Sequence, residues 1–393
     1  MQERSWKEYL KNLGWVLIIV SLLFTVIVGG FVVTNLEHVG RLARVVQLIQ
    51  SDYLEKAPID KLLDGATKGI VDSLGDPYSV YMNAQENQEL MEQIEGKFGG
   101  VGIILSMKDP QKLVVLRPIK NTPASKAGLQ PGDVILKIDT VDATTIDQEK
   151  AVSLMRGDPG TKVTLVVYRE SLKQSVTIPL TRERISVPTV EGQALPGNPD
   201  IAYVSITQFS SNTAQELHEV FNSMDIKKYK GVILDLRYNH GGELESAVGV
   251  ASYFVQPGPV VYIVDKDGNT LTKASEGNYL GLPFVVLVNE ESASAAEIVS
   301  GAIKDRGTGA LVGVKTFGKG IVQTIYQLDK GTSVKLTTAK YLTPNKVDIH
   351  KKGIEPDVKV ELKKGEEATI SPTTTNFDPQ LTKALQVLRE KTK

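Results

Sequence analysis

Two short segments of the chain carry residues able to do nucleophilic chemistry. The first, Asn289-Glu290-Glu291-Ser292-Ala293-Ser294-Ala295-Ala296-Glu297-Ile298, follows an apolar strand over Phe284–Val288 and opens a helical pattern that runs through Ile303. A serine placed where a strand turns into a helix is favoured as a nucleophile, because the helix N-terminus offers unpaired N–H groups and a positive dipole end to a developing oxyanion. Serine is also a preferred N-cap, so spacing alone leaves Ser292 and Ser294 open to either role. The second segment is Thr316-Phe317-Gly318-Lys319-Gly320-Ile321-Val322-Gln323, after a strand over Ala310–Val314. A lysine between glycines is ordinarily a surface hairpin residue. Here the glycines allow close backbone approach, and Phe317, Ile321 and Val322 are placed to exclude water. Desolvation disfavours the ammonium and lowers its pKa, which a lysine needs in order to accept a serine proton near neutral pH. A phosphate loop is a poor fit, since Gly320 stands where Ser or Thr is required after the lysine.

Composition removes several competing chemistries. The 393 residues contain no Cys, which excludes disulfides, Cys-ligated metal and a thiol nucleophile. The four histidines, His38, His218, His240 and His350, include no pair at H-E-x-x-H spacing. Neither a metal nor a cofactor is expected. Lys plus Arg number 45 against 46 Asp plus Glu, with no basic tract, so no nucleic-acid partner is expected. At roughly 150 residues per domain, the length predicts two or three domains.

The elements that must hold these segments can be placed along the chain. Trp15 to Val33 is an apolar run inside a charge-free stretch from Asn12 to Leu36, long enough to cross a hydrocarbon core of about 30 Å. It predicts a single membrane span at residues 1–36 in preference to a signal peptide, because Gly29-Gly30-Phe31-Val32-Val33 offers no clear cleavage site. Arg4, Lys7 and Lys11 before it, against Arg41 and Arg44 after it, weakly favour a cytoplasmic N-terminus and an extracytoplasmic body. Residues 37–96 read as helical, with Leu42, Val45, Val46 and Ile49 on one face and Leu62, Leu63, Ala66 and Ile70 on another, until Asp76-Pro77 breaks the run. Those faces are expected to pack into a core, with a second copy of the chain as the alternative cover.

Residues 97–184 predict a strand after Lys97-Phe98-Gly99-Gly100-Val101-Gly102, then a strand over Leu113–Leu116, a helical turn at Pro123–Ala127 and a strand over Asp133–Ile138. A helix over Asp147–Arg156 and a strand over Lys162–Tyr168 follow. A Gly-rich loop opening an exposed strand can hold a peptide carboxylate on its N–H groups while the peptide joins the sheet edge, with Val152 and Met155 available for its terminal side chain. Residues 185–362 alternate strands at Ile201–Ile206, Gly231–Leu236 and Phe284–Val288 with helices at Ala214–Met224 and Leu244–Phe254, an α/β pattern. Residues 363–393 read as a linker over Thr369–Thr375 and a helix with a Leu381, Leu385, Leu388 stripe, expected to meet its own core or a dimer partner.

The segment from Lys97 to Arg182, with Pro123-Ala124-Ser125-Lys126-Ala127-Gly128-Leu129-Gln130-Pro131-Gly132-Asp133 and Arg156-Gly157-Asp158-Pro159-Gly160, resembles a PDZ domain in the circular arrangement of bacterial proteases. The resemblance puts its carboxylate-binding loop on Phe98, Gly99, Gly100, Val101 and Gly102, with Arg156 as a conjectural charged sensor. Several motifs then occur in order: Leu234-Asp235-Leu236-Arg237-Tyr238-Asn239-His240-Gly241-Gly242, Ser292-Ala293-Ser294, Phe317-Gly318-Lys319-Gly320 and Gly353-Ile354-Glu355-Pro356-Asp357. With them the chain from about Val39 to Leu362 resembles the carboxy-terminal processing proteases, S41-type peptidases with a Ser-Lys centre.

That resemblance implies a multidomain α/β and α+β chain: a transmembrane helix, a helical segment, a PDZ domain and a crotonase/ClpP-like protease core. It implies Ser294 as nucleophile, Lys319 as general base, Gln323 orienting Lys319, and an oxyanion hole from Gly241 or Gly242 together with Ala295. Ser292 keeps a structural role, His240 has no catalytic duty, and Glu297 satisfies backbone donors. The implied activity is endoproteolysis of protein or peptide substrates with apolar C-termini by a membrane-anchored, extracytoplasmic enzyme, with a homodimer expected. A PDZ adaptor on a decayed scaffold and acyl-CoA chemistry on a crotonase-type fold are the alternatives.

Overall fold

The computed structural model describes residues 6–106, 112–362 and 378–392, and among these the side chains of residues 6–12, 14 and 24–37 are not described. The linker expected over 369–375 lies outside the described residues. The chain divides into two compact units, Met1–Tyr81 and Met82–Lys393.

The first unit holds α1 (Trp6–Asp52) and α2 (Ile59–Asp72). The break at Asp76-Pro77 is an Asx-type turn, in which the Asp76 carboxylate accepts from Tyr78 N–H and Ser79 Oγ. Among the described residues no helix is long and apolar enough to cross a membrane. The expected span lies within α1, and its second half falls on side chains outside the description. Of the two expected apolar faces, Val46, Ile49, Leu62 and Ala66 are half-buried, whereas Leu42, Val45, Leu63 and Ile70 are exposed.

In the second unit, α3 (Ala84–Glu95) begins at a capping box between Asn83 and Glu86 and ends at Gly96 in the left-handed region, φ 65°. Strand Lys97–Gly100 then pairs with Glu183–Ser186, bringing the two ends of the PDZ segment together. Between them lie an antiparallel pair, Ile103–Leu105 with Val115–Pro118, and a four-stranded sheet. The sheet runs in the order Val141–Asp142, Val134–Ile138, Lys162–Arg169, Gln174–Thr181, and α4 (Pro123–Lys126) and α5 (Gln148–Met155) accompany it. Period-two burial along Lys162–Arg169 turns Val163, Leu165 and Val167 into the PDZ core beside Ile135, Ile138 and Met155. The strand expected at Leu113–Leu116 begins two residues later, and strand Gln174–Thr181 is not among the expected ones.

The remainder is built on a six-stranded sheet in the order Val190–Leu195, Asn198–Ile206, Gly231–Asp235, Phe284–Val288, Ala310–Gly313, Val358–Lys359, parallel except for the first pair. Gly231–Asp235 and Phe284–Val288 are buried along their whole length, which is why they read as unbroken apolar runs. One face carries α6 (Thr213–Met224), α7 (Leu244–Ala251) and α8 (Ala295–Arg306); the other carries α9 (Pro379–Lys391), whose Leu381, Ala384 and Leu388 are fully buried. The α9 stripe is therefore core and is not available to a dimer partner. Arg237 fixes this docking, donating from a buried site to Asp235 Oδ2 (2.6 Å), Asp378 Oδ1 (3.1 Å) and Gln380 Oε1 (3.1 Å). Asp235 holds its guanidinium protonated against the opposing effect of burial. A second, antiparallel sheet includes Ile321–Gln327, Ser333–Leu342, Gly258–Asp265 and Thr270–Ser275.

Candidate active site

Three neighbouring parallel strands end at one edge, so the loops that leave their carboxyl ends converge there. After Ile206 comes the 207–212 loop, after Asp235 the 236–243 loop, and after Val288 the turn to Ser294. Hydrogen bonds stitch the loops together: Ala293 N–H donates to Asn239 O (2.9 Å), Tyr238 N–H to Asn289 Oδ1 (2.9 Å), and Asn239 Nδ2 to Ile206 O (2.7 Å). Ser292 is fully buried, its Oγ donating to Leu236 O (2.8 Å) and accepting from Asn289 N–H (2.9 Å). It is a structural residue, as expected.

Ser294 is half-buried with φ 54° and ψ −113°, a conformation that side-chain-bearing residues rarely adopt. Such a turn at the mouth of α8 places Ser294 on the wall of a cleft of about 630 Å³. Lys319, Gln323, Gly241, Gly242 and Ala295 border the same cleft. The structure thus brings together all six residues expected at a catalytic centre. Phe98–Gly102 do not border it; they belong to the PDZ domain, where the Arg156 guanidinium lies 4.6 Å from the Phe98 ring centroid. There, strand Ile103–Leu105 pairs on one side only among the described residues, and the partly buried Ile103 and Val152 flank the same core.

The two glycines are not equivalent. Gly241 N–H donates to Asn239 Oδ1 (2.8 Å), so that group is already committed and Gly241 is corrected from oxyanion donor to spacer. At φ 95° it packs on the nucleophile turn; a Cβ there would sit 2.7 Å from Ser294 Cβ. Gly242 forms a parallel bridge with Phe209, built from Phe209 N–H to Gly241 O (2.9 Å) and Glu243 N–H to Phe209 O (2.8 Å). Both bonds lie on either side of Gly242 in the chain, so its own N–H is turned away from Phe209. The Gly242 and Ala295 N–H groups have no acceptor among the described residues, which is the arrangement an oxyanion hole requires.

Glu297 joins the serine turn to the lysine loop. Its fully buried carboxylate accepts from Ser294 N–H (3.0 Å) and Lys319 N–H (2.8 Å) at one oxygen, and from Thr316 Oγ1 (2.5 Å) and Gly318 N–H (2.7 Å) at the other. Burial pushes its carboxyl above the ordinary range, and the four donors pull against that. In the sequence Glu297 reads as a cap, and nothing there reveals that it spans two segments. The Lys319 glycines do allow close approach: a Cβ on Gly318 would lie 2.7 Å from Gly353 N and one on Gly320 2.7 Å from His350 N. Ile321 and Val322 border the cleft, whereas Phe317, expected to exclude water, is 55% exposed. Its backbone N–H instead donates to Ser292 O (3.1 Å), which points the loop outward at that residue.

Gln323 reaches the cleft through a slip in strand pairing. Val322 faces Ala339 and Gln323 faces Thr337, so register shifts by one residue, and the consecutive residues Ile321, Val322 and Gln323 all border the cleft. The Gln323 amide nitrogen is buried with no partner. Such a donor costs about 1–3 kcal/mol until something satisfies it. Tyr341 donates its hydroxyl to Ser294 O (3.1 Å), and burial followed by the nearby Glu297 holds that phenol protonated. His240 stands exposed at the rim, 3.4 Å from Glu291, away from the buried chemistry.

The chain matches the peptidase family S41 over residues 200–360, a PDZ domain over 114–169 and the N-terminal domain of the activating protease CtpB over 31–86. It is 41% identical over 324 residues to the carboxy-terminal processing protease CtpA of Bacillus subtilis, covering 82% of this chain and 69% of that one. The chain belongs to the carboxy-terminal processing proteases of family S41. The protease is also 34% identical to CtpB of the same organism, over 82% of this chain and 67% of that one. Its structural similarity to the photosystem II D1 C-terminal processing protease extends over 87% of this chain and 89% of that one, at 29% identity and a TM-score of 0.48. It is a serine-type peptidase with a PDZ domain, and its α/β protease core is the one the sequence implied.

Proposed function

We propose that the protease cuts internal peptide bonds with Ser294 and Lys319 and selects substrates by their C-terminal tails. The observation that carries this is the shared Glu297 oxygen, which holds the backbones of both residues at one cleft beside two N–H groups that lack acceptors. Ser294 Oγ attacks the carbonyl carbon while Lys319, as the neutral amine, takes its proton. The oxyanion rests on Gly242 and Ala295 N–H, and the proton then passes to the leaving amine as the C–N bond breaks. Water, deprotonated by the same lysine, hydrolyses the acyl-enzyme and returns Ser294. Gln323 orients Lys319 by accepting from its amine at the amide oxygen, which leaves the lysine lone pair for the serine proton. None of these steps calls for a metal or cofactor.

An apolar tail adds as a strand to the open edge of Ile103–Leu105, its carboxylate held on the Phe98–Gly102 loop and its last side chain beside Val152. If tail binding favours the cleavage-competent conformer, the PDZ domain also raises the rate. An unfolded reporter ending in apolar residues is expected to be cut at least tenfold faster than the same reporter with an amidated or Asp-terminated tail, as read by mass spectrometry. Equal rates for all three would sink tail selection while leaving the peptidase intact.

We propose further that Trp15–Val33 anchors the chain as a single cell-membrane span, with the catalytic unit extracytoplasmic, and that a second copy covers the exposed apolar faces of α1 and α2. Apolar side chains from Trp15 to Leu23 are exposed on successive faces of α1, as are Val39, Leu42 and Val45 further along. Carbonate-washed membranes treated with a short amine crosslinker should retain the chain and yield twice its mass. Release by carbonate would overturn the anchor, and a solely monomeric band the homodimer.

A further inference from the structure

The cleft contains a second lysine that the proposed mechanism does not use. Lys335 lies on strand Ser333–Leu342 directly opposite Ile325, so it shares the cleft-bordering face with Gln323 and Ile325. Ile325 is two residues beyond Gln323, about 7 Å further along its strand. The surroundings at this end are apolar, with Leu90 and Ile94 of α3 bordering the cleft together with Ile325. Lys335 is half-buried, and burial disfavours its ammonium. Among the described residues no carboxylate pairs with it. The one acidic residue bordering the cleft, Glu243, is committed as the N-cap of α7, accepting from Ser246 N–H at 2.8 Å.

The wall that carries Lys335 is also rigidly set against the opposite one. Asn87 of α3 donates through Nδ2 to Gln327 Oε1 (3.0 Å) and to Gly331 O (3.0 Å), and Ser333 Oγ donates to Asn87 Oδ1 (2.8 Å). These bonds fix the width of the cleft at the lysine end before any substrate arrives. A partly desolvated ammonium in a preformed apolar site is stabilised by a ligand that brings the opposite charge. Resting on the reading of this cleft as the cleavage site, we propose that Lys335 is a specificity-determining residue that receives a substrate carboxylate at the end of the cleft away from Ser294.

A peptide can bring that carboxylate in two ways, on an Asp or Glu side chain or at its own C-terminus. An ammonium is a point charge with three rotatable donors and accepts either. The test uses the full chain and its Lys335→Met and Lys335→Glu variants on peptides with Glu, Gln or Lys at each position around the cut, each with a free or amidated C-terminus. The parent is expected to prefer Glu to Gln at one position by about ten- to a hundredfold in kcat/KM, chiefly through KM, as a charge-assisted hydrogen bond requires. Lys335→Met should erase that ratio, and Lys335→Glu should invert it in favour of Lys at the same position. A ratio that follows amidation instead assigns the carboxylate to the terminus. A parent indifferent to charge at every position, or a preference that survives both variants, overturns the proposal while cleavage itself stands. A parent that cuts none of the peptides overturns the reading of the cleft as well.

Discussion

Ser294→Ala is expected to lower kcat by on the order of 10⁴- to 10⁶-fold, and Lys319→Ala to do nearly the same. Residues that act as one unit are not additive, so the double variant should be scarcely worse than either single one. The geometry separates this loss from misfolding. Ser294 holds φ 54° and ψ −113° whatever its side chain, so alanine inherits the strain and unfolds at nearly the same denaturant concentration. Glycine relieves it, and Ser294→Gly should be inactive yet more stable by about 1–3 kcal/mol. A rate limb that rises with pH in the parent and vanishes in Lys319→Ala would identify the lysine as the base. The competing reading is Ser292: loss of activity in a folded Ser292→Ala, with Ser294→Ala still active, would reassign the nucleophile. The structure argues otherwise, because the Ser292 hydroxyl is buried and already occupied.

The second large effect belongs to Glu297. Removing its carboxylate in Glu297→Ala leaves the Ser294, Gly318 and Lys319 N–H groups and the Thr316 hydroxyl without their acceptor. Each buried orphan costs about 1–3 kcal/mol, partly offset because a desolvated charge disappears as well. A net loss of about 3 kcal/mol in denaturant unfolding is expected, with kcat reduced by about 10²- to 10³-fold because serine and lysine are no longer held in common. Glu297→Gln keeps the shape and one acceptor oxygen, and should spare more stability than activity. The pH dependence follows from the raised carboxyl. Between the ordinary carboxylate range and the raised value, the folded chain keeps a proton that the unfolded chain has released. Folding stability from this group therefore falls as pH rises through that window. Activity runs the opposite way: it falls as pH drops through the raised value, because a protonated Glu297 loses an acceptor for the Ser294 or Lys319 backbone. Glu297→Gln should lack this acid limb, and an unchanged limb in that variant would refute the assignment.

Much of this architecture is legible in the amino-acid sequence alone. The strands Gly231–Asp235 and Phe284–Val288 stand out because a parallel strand covered on both faces has no polar positions to interrupt it. The Ser294 and Lys319 motifs are legible because their glycines and their serine sit where backbone geometry is constrained. Other features depend on quantities that side-chain type does not encode. Which glycine offers its N–H is decided by the Asn239 side chain and the Phe209 bridge, two long-range partners. Lys335 faces the cleft only because the pairing of its strand is set by a slip near Gln323, and no periodicity in the sequence reports that slip. The α9 stripe could have met a sheet or a second chain, and its amphipathic spacing is the same in both cases.

Gly96 is the single residue between the helix that walls the cleft and the strand that opens the PDZ domain. Its φ of 65° turns the chain there, and a Cβ would fall 2.8 Å from the Ser210 side chain. Just before it, Ile94 O accepts from Ser211 N–H (2.9 Å) and Glu95 O from Asn212 Nδ2 (3.1 Å); just after it, Gly96 O accepts from Val187 N–H (3.1 Å). The joint is therefore a rivet and not a tether. A recognition domain transplanted from a relative would be productive only if the graft boundary falls beyond Lys97 and before Ser186, because a seam cut at Gly96 itself would exchange the tail-reading module and unseat the catalytic wall in the same stroke.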